Sequence, residues 1–382
     1  MRKYDVLIIG GGIIGASIAY ELAKYELTTL LVEKNPVFAK ETSKGNSGAI
    51  HGGFDPEPGK LEAKLNVLGN EMWRNIVFKD LTFPRAQLDS LIIAFSDEEM
   101  KHVHMLYQRG LTNKVPAEFM KVLSKEEVLK KEPNLNPDLK GALLCTSSWA
   151  INTVKATEAF IGASKQNGTQ TQLNSKVTAI KEVKDGFEVE INLNEKIFAK
   201  RIINAAGHYA DIIAQMAGYP DFKLTTRRGE YRVLDSSQSG IVNSICFMVP
   251  TIHGKGVIVT PTLDGNILVG PTAEDGVAKE DTLLVTRKMY DYIGKIGKKI
   301  VPSLDLERTS MVFSGSRPID IETNDFIIKA AKSNKNFINA AGMQSPAIAS
   351  APAIALEIVK LLQDSNLDLK KRSNFNAKFE VI

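Results

Sequence analysis

Chemistry can be read first near the start of the chain, where GGGIIG occupies positions 10–15 and is followed by Glu33. Gly10, Gly12 and Gly15 fit the GxGxxG pattern. Its first glycine permits a tight turn, its second lets the backbone approach a pyrophosphate, and its third lets a helix pack closely on its strand. The free amides and positive dipole end of a helix that starts at such a turn attract phosphate. A carboxylate at Glu33 suits ribose hydroxyls and repels a 2′-phosphate, so the spacing points to an adenine dinucleotide other than NADP. NAD and FAD both remain open at this point.

The elements that must position these residues are legible around them. Residues 5–9 (DVLII) form an apolar, β-branched run of the kind buried on both faces of a parallel sheet. Ile13, Ile14, Ile18 and Leu22 recur at helical spacing, and residues 29–33 (TLLVE) read as a second strand. Together they make one βαβ unit. Similar strand patterns ending in glycine return at 201–207 (RIINAAG) and 336–342 (NFINAAG), each before a helix-like segment. The dinucleotide domain is therefore expected to be discontinuous, from residues 1–80, 141–222 and 311–365. Short alternating runs such as 230–234 and 256–260, with turns such as LDGN at 263–266, predict an inserted antiparallel-sheet substrate domain from residues 81–140 and 223–310. Residues 366–382, with the basic cluster Lys370, Lys371 and Arg372, read as a solvated C-terminal tail. The fold class expected is α/β plus α+β.

Composition narrows the function classes. Across 382 residues, 48 Lys and Arg face 44 Asp and Glu without basic runs, which argues against nucleic acid or membrane attraction. Cys145 and Cys246 lack CxxC spacing, so neither a disulfide framework nor a metal site is expected, and a reducing cytoplasm fits. The apolar stretch 6–19 is too short and glycine-rich to be an integral membrane segment.

After the βαβ unit comes TSKGNSGAIHGG at 42–53, which packs small and hydroxyl residues around one histidine. Thr42, Ser43 and Ser47 offer hydroxyls, and Gly45 and Gly48 let backbone amides approach a ligand closely. This loop resembles the flavin-side segment of the D-amino-acid-oxidase superfamily. Its TSxxNSGxIHxG pattern is similar to the branch that contains type 2 glycerol-3-phosphate oxidases and L-2-hydroxyglutarate oxidases. RRGEY at 227–231, TIHGKG at 251–256, VGPT at 269–272, GSRP at 315–318 and GMQSP at 342–346 continue the resemblance, in order, along nearly the whole chain.

The resemblance implies a glutathione-reductase-like Rossmann domain holding non-covalent FAD. Besides the glycines 10, 12 and 15 and Glu33, it implies cofactor contacts from Ile14, Thr42, Ser43, Ser47, Gly48 and Ala49, and further along from Val177, Gly207, Gly342, Met343 and Gln344. A helix starting near Pro346, with Pro352 also in its opening part, would turn its N-terminus toward the flavin pyrimidine edge and stabilise negative charge there. Two positions depart from the family's pattern: Gln344 stands where a basic residue is expected, and Ala347 where a glycine is.

An alcohol gives up hydride readily only when its hydroxyl proton is removed, and histidine suits that work near neutrality. His51, in the flavin loop, is the candidate catalytic base. His102 and His104 fall in a polar helical stretch and read as exposed, His208 suits a cofactor-adjacent or capping role, and His253 sits beside Lys255. An anionic substrate needs fixed cations, for which Arg317 and the glycine-flanked Lys255 are the choices. The resemblance adds Ser47 and Ser345 to the substrate contacts. Arg227 and Arg228 are left between a substrate role and pairing with Glu230, and Tyr231 between capping the pocket and packing in the core. The activity implied is oxidation of a small phosphorylated alcohol, sn-glycerol 3-phosphate, to dihydroxyacetone phosphate, with O2 reduced to H2O2. L-2-hydroxyglutarate oxidation is the alternative, separated by the lysine of the 251–256 segment. A flavin-dependent RNA-modifying enzyme would need a basic groove and often a reactive cysteine, neither of which is visible.

Overall fold

A computed structural model describes residues 1–249 and 256–381. The first unit is β1 (Arg2–Ile9), α1 (Ile13–Leu22) and β2 (Thr29–Val32). β1 runs parallel to β2 on one side and to Glu195–Asn204 on the other; Gln170–Gln172 extends the sheet beyond β2, and Asn334–Ala341 runs parallel to the end of Glu195–Asn204. A central strand needs apolar residues on both faces, and Leu7, Ile8, Leu30, Leu31 and Ile202 are fully buried. Antiparallel partners, Gly186–Ile191 with Val177–Val183 beyond it and Ile327–Ala331, bring the sheet to eight strands. One face is covered by α1, Thr153–Gln166 and Ala347–Asp364, the other by Ala210–Met216.

The second sheet has nine strands, and its core is separate. It runs from Met120–Ser124 through Gly141–Cys145, Ser90–Ala94, Ile245–Met248, Ile258–Pro261 and Ile267–Gly270 to Leu224–Leu234 and Thr309–Asp320, with the short Glu274–Asp275 beside Leu224–Leu234. Three expectations are corrected here. The sheet is not wholly antiparallel, because Ser90–Ala94 and Ile245–Met248 pair in parallel. Gly141–Cys145 belongs to this sheet rather than to the dinucleotide domain: it is paired on both edges and its Leu143 is fully buried. So does Thr309–Asp320, which pairs along the whole of Leu224–Leu234. An apolar strand reads alike in either sheet; only its neighbours assign it.

The tail is also corrected. Phe379–Glu380 pairs in parallel with Leu81–Thr82, Phe375 packs against Tyr20, and the Phe379 ring fills the space left by Gly162, where a Cβ would come within 2.1 Å. Lys370 pairs with Glu26 at 2.6 Å, and the Arg372 guanidinium donates to the carbonyls of Ala23 and Tyr25. Two phenylalanines thus anchor a polar segment in a groove beside α1.

Pro346 caps the helix Ala347–Asp364, but Pro352 lies inside it. A proline within a helix leaves the carbonyl four residues earlier without its N–H partner. That carbonyl, on Ile348, accepts instead from Trp73 Nε1 at 3.0 Å. Among the described residues no helix is long and apolar enough to cross a membrane.

Candidate active site

The glycines of the first turn are explained by what a side chain would strike. Gly10 has φ +114°, and a Cβ on it would stand 2.3 Å from the Ala205 carbonyl oxygen; one on Gly15 would stand 2.0 Å from the Gly10 oxygen, so α1 rests directly on the turn. Gly12 caps α1 without a side chain of its own. Ser43 supplies the missing acceptor, taking the Ile13 N–H at 2.9 Å. Glu33 is buried at the end of β2: one carboxylate oxygen accepts from the Gly11 N–H at 2.8 Å, and the other from the backbone and side-chain N–H groups of Asn35 at 2.9 and 2.7 Å. A cleft opens over these residues, lined also by Val177, Gly207 and His208. Bare backbone at Gly10 and Gly12, and a fixed carboxylate one strand away, fit the pyrophosphate and ribose of a dinucleotide.

A second cleft shares Gly12, Thr42, Ser43, Ala205 and Gly207 with the first, so the two are continuous. Ile14, Ser47, Ala49, His51, Arg317, Met343, Gln344 and Ser345 line it. The 42–53 loop is folded around Asn46, whose amide donates to the carbonyls of Thr42 and Ser43 at 3.0 and 2.8 Å and whose side-chain oxygen accepts from Gly48 N–H at 2.8 Å. Gly15, Gly48 and Gly342 shape the backbone without lining either cleft; Gly48 and Gly342 take φ of +68° and +65°. Two sequence candidates, His253 and Lys255, lie outside the described residues.

The second sheet meets the 42–53 loop at a backbone crossing. A Cβ on Gly315 would fall 1.7 Å from the Gly45 oxygen, and one on Gly45 would fall 2.6 Å from the Gly315 Cα. Next along the strand, the Ser316 carbonyl accepts from the Thr42 hydroxyl at 2.9 Å and from His208 Nε2 at 3.0 Å. A carbonyl only accepts, so His208 carries its proton on Nε2; burial also lowers its pKa, which keeps the ring neutral. His208 Nδ1 is buried without a partner. This crossing sets the position of Arg317, one residue further on.

His51 is half-buried, with its ring 6.0 Å from that of Phe247. Its backbone is held by the helix α2 (Leu61–Met72), whose Asn66 and Asn70 amides donate to the His51 carbonyl at 2.8 and 3.1 Å. Facing the same cleft are Arg317 and Tyr231. Tyr231 is 6% exposed and stacks on Phe313 at 4.6 Å; burial pushes its pKa up to about 12 against the pull of Arg317, so the phenol stays protonated. Burial lowers the pKa of Arg317, with Tyr231 the first group opposing the change. Neither the Arg317 guanidinium nor the Tyr231 hydroxyl has a hydrogen-bond partner among the described residues, so the cleft presents a cation and a phenol with donors to spare.

Other expectations resolve differently. Arg227 pairs with Asp275 at 2.6 Å, and Arg228 with Glu274 at 2.8 Å and Glu230 at 3.3 Å. Of the two helical histidines, His104 is exposed but His102 is half-buried. Glu62 and the Gly45 to Gly315 crossing were not singled out as site features by sequence, and Tyr231, left between capping the pocket and packing in the core, is buried and lines the cleft. RRGEY and GSRP did mark the two strands, but only their pairing, with Tyr231 opposite Phe313, brings the tyrosine beside Arg317.

Comparison with known proteins agrees with this geometry. Residues 5–361 match the family model described as FAD dependent oxidoreductase. The chain is 48% identical to the glycerol 3-phosphate oxidase of Mycoplasma pneumoniae, covering 100% of this chain and 99% of that one. It is 47% identical to the enzyme of the same name from Mycoplasma genitalium, with the same coverage. The solved structure of dithionite-reduced L-alpha-glycerophosphate oxidase from Mycoplasma pneumoniae with FAD bound superposes with a TM-score of 0.96 over 100% of both chains. With a family match across most of its length and a two-part cleft shaped for a dinucleotide, the chain belongs to the FAD-dependent oxidoreductases, and FAD is its cofactor.

Proposed function

We propose that the protein oxidises sn-glycerol 3-phosphate to dihydroxyacetone phosphate and passes the electrons to dioxygen, giving hydrogen peroxide. The observation that carries this reading is the group of unspent donors, Arg317 and Tyr231, in the same cleft as His51, in a chain 48% identical to a relative named for this activity. Arg317 grips the phosphate as a planar fork, and Tyr231 adds a neutral donor. His51, held from behind by α2, takes the proton of the C2 hydroxyl. Bound FAD would supply the acceptor for the C2 hydride and the route of the electron pair to dioxygen.

FAD is held without a covalent bond. Gly10 and Gly12 would hold its pyrophosphate and Glu33 its ribose, and Met343, Gln344 and the N-terminus of Ala347–Asp364 would hold its ring in the second cleft. Lys255, Ser47 and Ser345 complete the substrate contacts. The reading places the enzyme in the cytoplasm, where the two buried free cysteines suit a reducing medium.

An aerobic substrate panel with peroxide detection tests the proposal. Peroxide from glycerol 3-phosphate and none from L-2-hydroxyglutarate is the expected result. The reverse preference would transfer the assignment to the 2-hydroxy acid, and reduction of the flavin without peroxide would remove dioxygen as acceptor.

A further inference from the structure

Gln344 lines the flavin-side cleft at 8% exposure, and Glu62, in the first turn of α2, is equally buried. The Gln344 side-chain nitrogen has three acceptors around it. These are Glu62 Oε2 at 3.2 Å, the Asn324 backbone oxygen at 3.0 Å and Asn324 Oδ1 at 3.2 Å. Amide nitrogen and oxygen are nearly alike in shape, so their assignment rests on chemistry. Here the chemistry decides, because a carboxylate and a backbone carbonyl only accept; a flipped amide would set oxygen against oxygen twice. The anchor is also fixed in place: Asn324 takes a left-handed φ of 49°, and the neighbouring Asp325 caps α2 through the N–H groups of Leu61 and Glu62 at 2.7 and 3.0 Å. With its nitrogen committed outward, Gln344 has its carbonyl oxygen left for the cleft. That oxygen has no donor among the described residues and is not one of the buried unpartnered atoms.

We propose that Gln344 recognises FAD through this oxygen, accepting the N3–H of the flavin ring, and that Glu62 and Asn324 set the orientation. The inference rests on the ring placement given under Proposed function. The pyrimidine edge of a flavin carries two carbonyl oxygens with the N3–H donor between them, so an acceptor and a donor at position 344 would select different atoms. The departure from the family's basic residue thereby acquires a meaning. Position 344 reads the ring by accepting from it, and negative charge on the reduced ring is left to the positive end of Ala347–Asp364.

N3-methyl-FAD, which lacks the donor, is the probe, and its affinity for the apoprotein relative to that of FAD is the readout. Wild type is expected to bind the methylated cofactor about tenfold or more weakly, the scale for a buried acceptor left without its donor. Gln344→Met, similar in length but with no strong acceptor, is expected to bind both cofactors nearly alike, with FAD itself weakened. Glu62→Gln, which can offer a donor as well as an acceptor to the amide, is expected to relax the discrimination part of the way. Gln344→Ala repeats the measurement if the methionine variant does not fold. Equal binding of both cofactors by wild type would overturn the proposal. Discrimination that persists in Gln344→Met with FAD affinity changed would overturn the acceptor role alone. Discrimination that persists with FAD affinity unchanged would overturn the ring placement as well.

Discussion

The two parts of the continuous cleft, one over the first turn and one beyond the 42–53 loop, are built in opposite ways. Gly10, Gly12, Gly15 and Glu33 belong to one βαβ unit, and three N–H groups already hold the Glu33 carboxylate in place. In the second part, His51, Tyr231, Arg317 and Gln344 come from four separate stretches, brought together by both sheets and by the crossing at Gly45 and Gly315. A site made of neighbours along the chain has its geometry fixed by local backbone conformation. A site made of distant segments is only as accurate as the contacts between them, and an error of about 1 Å in such a site can cost about a hundredfold in rate. Damage to the first half should therefore show as weaker cofactor binding, and damage to His51, Tyr231, Arg317 or the crossing in the second as impaired substrate use or turnover.

The sharpest way to break this contrast is at the crossing. Gly315→Ala puts a Cβ 1.7 Å from the Gly45 oxygen, so the two backbones must part. Turnover with glycerol 3-phosphate should fall by about a hundredfold or more. A variant with near-normal turnover would show that Arg317 does not depend on the crossing.

His51→Asn should follow, with flavin reduction in anaerobic stopped-flow slowed by about a hundredfold, the usual scale for a positioned base, while the bound-FAD spectrum stays close to wild type. A change of only a few-fold would pass the role of base to another group. Arg317→Met should raise KM for glycerol 3-phosphate by about ten- to a hundredfold with a smaller effect on kcat, and Tyr231→Phe by a few-fold, in line with charged and neutral hydrogen bonds. If the two substitutions had equal effects, the phosphate would not lie between them.

Glu33→Gln tests the local half. It should weaken FAD binding by about tenfold and leave turnover at saturating FAD unaltered, because a charge-assisted contact becomes a neutral one. The smallest effect expected is on stability. Burial holds the folded-state pKa of His208 below its unfolded value, so the unfolded chain binds the extra proton first. Its contribution is present above about pH 6.5, the ordinary histidine value, and is lost as pH falls from there toward the folded value. Thermal melts between about pH 7 and 5 should decline less steeply for His208→Gln than for wild type; parallel declines would mean that His208 is not the group responsible.

What was legible in the sequence follows the same division. GxGxxG and Glu33 can be read because each residue's task is set by its own backbone, and the 42–53 loop because its composition is unusual. The partners of Gly45, Ser316 and Gln344 could not be read, since a glycine that admits a crossing strand and a glutamine pinned by a distant carboxylate look like any other glycine and glutamine. The assignment of Gly141–Cys145 and Thr309–Asp320 to the second sheet was hidden for the same reason, and Phe375 and Phe379 were too sparse to mark the tail as packed.

The Gly10 turn also has a consequence in time. It closes against Ala205, whose N–H donates to the Ile9 carbonyl at 2.9 Å, and β1 takes Glu195–Asn204 as its neighbour. A ribosome delivers these partners roughly 190 residues after β1, and Asn334–Ala341 later still. Until then the nascent chain carries an apolar first strand with one edge unpaired, in need of shelter from aggregation. The Gly10 turn is thus complete only once Glu195–Asn204 has joined β1, however early its own glycines emerge relative to that strand.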